Sequence, residues 1–118
     1  MKDLEVMREF YIKYFSAVSN DGYYNSGTGF RSYFLTFEDG VRMELMRHPK
    51  AVEGKKTGYE FGYAHISFSV GEKEKVDSLT KRIGEDGHRV IGAPRTTGDG
   101  YYESVVCDPE GNYIEITN

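Results

Sequence analysis

Apolar residues take every second position from Ala64 through Ile66 and Phe68 to Val70, alternating with Tyr63, His65, Ser67 and Ser69. A two-residue period predicts a strand with one greasy and one polar face, and it sets a histidine in the middle of the polar one. The same period recurs at 30–37 and 41–47, joined by the turn residues Glu38, Asp39 and Gly40. It recurs again at 101–107 and 113–117, joined by "DPEGN". Residues 88–91 predict a shorter strand. Steps of three and four residues predict helices instead. One has Leu4, Met7, Tyr11, Tyr14, Phe15 and Val18 behind the capping residue Asp3; the other has Val76, Leu79 and Ile83 within 72–86. The polar, glycine-bearing stretch 20–29 predicts a loop, with a short strand beginning near Val18, and 48–62 predicts a linker.

The element order contains a repeat. "FLTFEDGVRMELM" and "SVVCDPEGNYIEIT" share one plan: an apolar run, an acidic turn with glycine, then a strand centred on Glu between apolar neighbours. Glu44 and Glu115 correspond. The second copy (63–118) reads strand, helix, three strands; the first (1–47) reads helix, three strands, so its opening strand is missing. Aligning the helix starts sets Met1 about where Val70 stands in the second copy. The expectation that follows is an internal start at a valine codon, with a further strand encoded upstream, which the genomic codons ahead of Met1 test.

At 118 residues the chain predicts one domain with one core. A net charge of -4 with no basic stripe argues against nucleic acid as a partner. No apolar run reaches the roughly 18 residues a membrane span needs, and no signal peptide is visible. The lone Cys107 excludes an internal disulfide framework, reads as a small core residue, and fits a reducing, cytoplasmic location. Fourteen glycines and ten tyrosines predict many turns and a broad aromatic surface.

Strand period sorts the remaining polar residues. Glu44 opposes Val41, Met43 and Leu45; Glu115 opposes Ile114 and Ile116; His65 opposes the apolar residues of its own strand. Each therefore projects away from the face a helix would cover. If the strands curve into one sheet, an imidazole and two carboxylates converge into a site for a divalent cation such as Zn, Ni, Mn or Fe. The competing reading is plain: outward-facing Glu and His on strands are commonly just solvated. The place of Glu44 and Glu115 in an internal repeat favours the metal.

The stretches "KDLEVMREFYIKYF", "GYAHISFSV" and "DPEGNYIEIT" resemble the vicinal oxygen chelate superfamily, which groups glyoxalases, bleomycin-resistance proteins and extradiol dioxygenases. The resemblance covers the whole chain except the first strand and is nearest to glyoxalase I. It implies an α+β fold of two βαβββ modules, here with the first lacking its opening strand, forming a cupped mixed sheet with helices outside. It implies a metal, zinc or nickel first, held by Glu44, His65 and Glu115 at the second, third and fourth ligand positions of the family. The first ligand, a His, belongs to the strand this chain lacks, so weak binding or an empty site is expected. A homodimer in which each metal draws ligands from both subunits is implied as well.

By the same resemblance the activity is a lyase or isomerase reaction on a small oxygenated molecule, with Glu115 as the first choice of base and Glu44 as the second. Arg31 and the tyrosines Tyr23, Tyr24, Tyr101 and Tyr102 are candidates to line the substrate cavity, although Arg31 could equally pair with a surface acid. His48 and His88 read as surface residues. Two rivals stay open: a metal-free small-molecule binder of the bleomycin-resistance kind, and an inactive, N-terminally truncated form.

Overall fold

The computed structural model describes all 118 residues, Met1 to Asn118. The chain divides into two compact units, Met1–Gly54 and Lys55–Asn118.

In the first unit, α1 (Leu4–Phe15) begins at Asp3, whose side chain accepts from the backbone N–H groups of Glu5 and Val6. It ends at Ser16, whose left-handed φ of 53° breaks the helical path. Val18 therefore leaves the helix and opens β1 (Val18–Ser19). The buried stripe is Leu4, Met7, Phe10, Tyr11 and Tyr14, so Phe10 joins the core and Val18 does not. β3 (Arg31–Thr36) and β4 (Arg42–Arg47) form the predicted hairpin, antiparallel from Arg31 opposite Arg47 to Thr36 opposite Arg42. The stretch read as a loop contains β2 (Tyr23–Tyr24), a correction. β1 and β2 lie along the same edge of β3, and the chain between them detours at Asn20, whose side chain accepts from the Gly22 and Phe34 N–H groups. Gly22 turns there with φ +91°, and the Tyr33 ring leaves no space for a Cβ. Leu35 and Leu45, both fully buried, mark the sheet face that α1 covers.

In the second unit the sheet order is β5-β8-β7-β6. β5 (His65–Ser69) runs parallel to β8 (Tyr113–Thr117), and β7 (Tyr102–Cys107) and β6 (Val90–Thr96) continue antiparallel. The parallel pair requires a crossover, which α2 (Lys73–Glu85) supplies. α2 buries Val76, Thr80 and Ile83 against the sheet, while Leu79 is only half-buried. The polar Thr80 is tolerated because its hydroxyl lies 2.6 Å from Ser104 Oγ and donates to Val76 O. The strand predicted at 88–91 instead runs to Thr96. It passes through Pro94 because β6 is an edge strand, where a missing N–H costs little, and two register shifts against β7 hide its alternation. Two helices and two four-stranded sheets make this an α+β fold.

Candidate functional site

Parallel pairing of β5 with β8 puts Ser67 directly opposite Glu115, and His65 one pleat away opposite Tyr113. All three point away from the face filled by Ile114 and Ile116, which are fully buried. His65 Nε2 stands 3.4 Å from Glu115 Oε2, and Ser67 Oγ donates to Glu115 Oε1 at 2.7 Å. The serine thus fixes one carboxylate oxygen and leaves the other turned to the imidazole. Two ligands on a tetrahedral ion with bonds of about 2.0–2.2 Å stand about 3.4 Å apart. The spacing of Nε2 and Oε2 matches one edge of such an ion.

Glu103 belongs beside this pair. It sits on β7 diagonally across from Glu115, which pairs with Val105. Burial, then the charge of Glu115 and a hydrogen bond with it, push the Glu103 carboxyl above its ordinary range; Arg95, 3.7 Å away, pulls the other way. Glu103 was overlooked in the sequence, yet the period along β7 holds the signal, because Ser104 and Val106 are fully buried on one face and Glu103 and Val105 oppose them.

Glu44 occupies the matching place in its own hairpin, third in β4, opposite Phe34 and on the face that α1 leaves uncovered. It belongs to the first unit, His65 and Glu115 to the second. Within either unit, no three His, Cys, Asp or Glu side chains gather as a metal-holding group. The donor chemistry of His65 and Glu115, neutral nitrogen beside anionic oxygen, fits a divalent ion, and within the second unit it amounts to two ligands.

The remaining candidates scatter. Arg31 does not pair with an acid; its guanidinium lies over the Tyr24 ring, 4.6 Å from the centroid. It shares a sheet face with Leu45 and Arg47, opposite to that of Glu44. Tyr101 precedes β7, and its ring is exposed. Tyr102 faces α2 and donates to Asp77 Oδ1 at 2.6 Å, which removes it from the polar face. His48 is a turn residue, its Nδ1 accepting from Lys50 N. Cys107 is buried, and burial pushes its thiol up.

No helix is long and apolar enough to cross a membrane. No curated protein matches the chain. Among solved structures it is similar to a possible glyoxalase from Bacillus cereus (26% identity, 98% of this chain and 89% of that one, TM-score 0.71). It is similar also to a glyoxalase/bleomycin resistance protein/dioxygenase domain from Frankia (17% identity, 98% and 87%, TM-score 0.78). A third is the trypanothione-dependent glyoxalase I of Leishmania major (20% identity, 98% and 78%, TM-score 0.75). The latter two likenesses bear on the fold alone. The family model that matches does so over residues 1–116, so the chain belongs to the Glyoxalase/Bleomycin resistance protein/Dioxygenase superfamily.

Proposed function

We propose that the chain is a metal-dependent lyase or isomerase of the glyoxalase type, which shifts a proton between adjacent carbons of a small oxygenated substrate. The observation that carries this reading is the 3.4 Å approach of His65 Nε2 to Glu115 Oε2 on the polar face of the second sheet. His65 and Glu115 would hold the ion, zinc or nickel, with Glu44 as the third donor in a homodimeric protein. When bound, the cation supplies Lewis-acid stabilisation of the charge that develops on the substrate oxygens.

Glu115 is assigned the role of base, with Glu44 second. Ser67 orients the Glu115 carboxylate, and its hydrogen bond must be kept or exchanged as the proton arrives. Glu103 stands diagonally across from the base, and burial, the Glu115 charge and a hydrogen bond with Glu115 push its carboxyl above the ordinary range. Tyr101 is proposed to contact substrate. The trypanothione dependence of the Leishmania relative makes hemithioacetals of small thiols the first substrates to assay. A cytoplasmic setting suits the single buried thiol.

Metal analysis of protein purified without chelator is expected to find about one divalent ion per chain. Glu115→Gln is expected to lower hemithioacetal isomerisation at least about a hundredfold. Metal at stoichiometry with unchanged turnover in that variant would remove Glu115 as base. The exposed rings of Tyr23, Tyr24 and Tyr101 favour a second reading, a metal-free small-molecule binder. For that protein the same analysis finds no ion, and no isomerisation is detected.

A further inference from the structure

The α1 side of the first sheet carries charges that the metal site does not use. β3 and β4 pair so that Arg31 and Arg47 are directly opposite each other. Directly opposed side chains in an antiparallel pair have Cβ atoms about 4.5–5.5 Å apart, and like charges placed so destabilise the pair. A sheet normally relieves this with an acid. Here neither arginine has a carboxylate partner: Arg31 rests on the Tyr24 ring, and Arg47 makes no ion pair.

Both arginines line a hollow of about 290 Å³ at the start of α1. That is near the lower end of the roughly 300–1,000 Å³ typical of small-molecule sites. The other charges on its wall are nearly all engaged. Lys2 pairs with Glu53. Asp3 caps α1 through the N–H groups of Glu5 and Val6. Glu5 accepts from Tyr33 OH at 2.5 Å and pairs with Arg8. Of the acids on the wall, only Asp21 has no partner. The uncommitted charge is therefore two guanidiniums against one carboxylate.

We propose that this hollow binds the oxyanion group, carboxylate or phosphate, of a small molecule, gripped between Arg31 and Arg47. Planar guanidiniums recognise such groups through paired N–H donors, and stacking on Tyr24 holds the Arg31 fork in place before the ligand arrives. A bound anion removes the repulsion across the β3–β4 pair. Asp21 opposes a bare anion and favours a ligand that carries a donor or a positive group on its other end. The site is separate from the proposed metal centre, because Arg31 and Arg47 share the face of Leu45 while Glu44 occupies the other.

The test is calorimetric titration of the full chain at low salt with inorganic phosphate and, separately, with β-alanine, which carries a carboxylate at one end and an ammonium at the other. Wild type is expected to bind at least one of them saturably, and the stronger ligand names the source class. Arg47→Gln and Arg31→Gln are each expected to weaken binding about tenfold or more. Asp21→Asn is expected to strengthen it, a response that general damage to the fold would not produce. Circular dichroism melts confirm that each variant is folded. Without ligand, Arg47→Gln is expected to melt no lower than wild type, since it removes a like-charge pair. Failure of wild type to bind either probe, or binding by both arginine variants as tight as that of wild type, would overturn the proposal. Neither result touches the metal site, whose tests read metal content and isomerisation.

Discussion

Glu103 binds its proton more tightly in the folded chain than in the unfolded one, where its carboxyl titrates near 4.5. A group raised in this way gives stability that fades as pH climbs from about 4.5 through the raised value, because the folded state holds the extra proton. Metal-free protein is therefore expected to lose urea resistance over that range, and Glu103→Gln to flatten the loss. An unchanged slope in the variant would trace the pH dependence to another group. Cys107 gives a simpler case. It is 2% exposed, so a thiol reagent is expected to label it only after unfolding. At this scale the sequence spoke clearly about direction and poorly about contact. Period alone told which way His65, Glu44 and Glu115 face, since alternation is a local property. The neighbours of Glu115, by contrast, depend on registers between strands remote in sequence. Ser67 and Glu103 emerged only once those registers were known.

Helices and hairpins were legible where one local signal governs. Asp3 caps α1 as its position implied, and Asp3→Ala is expected to cost about 1 kcal/mol in denaturant unfolding. Elements built on exceptions were not legible. β2 is two residues long beyond a detour, and β6 carries a proline and two irregularities that erase its alternation. The buried tie between Thr80 and Ser104 was likewise hidden, because a threonine in a helix stripe reads as surface. Thr80→Val leaves Ser104 Oγ without its partner and is expected to cost about 1–3 kcal/mol, with Thr80→Val/Ser104→Ala recovering part of it. Additive losses in the double variant would mean the two hydroxyls act independently.

For the molecule as a whole, the partition into Met1–Gly54 and Lys55–Asn118 predicts where a protease enters. Residues 51–56 carry no secondary structure and are exposed, and Lys56 is tethered by its Nζ to Glu110 O. Trypsin at low dose is expected to cut first after Lys55. Mass spectrometry of early fragments checks this; first cuts within α1 or α2 would contradict it.

The hairpin of β3 and β4 works as a two-sided board. Odd-numbered residues of β4 face the helix, with Leu45 completely enclosed, and even-numbered ones, Glu44 among them, look the other way. One extra residue inserted just before Arg42 would exchange the sides, driving a carboxylate into the core and stranding Leu45 in water. The cost of that exchange is what keeps Glu44 and Arg47 on opposite sides of this strand. The two chemistries can then drift independently of one another, one change at a time, while the leucine between them stays put.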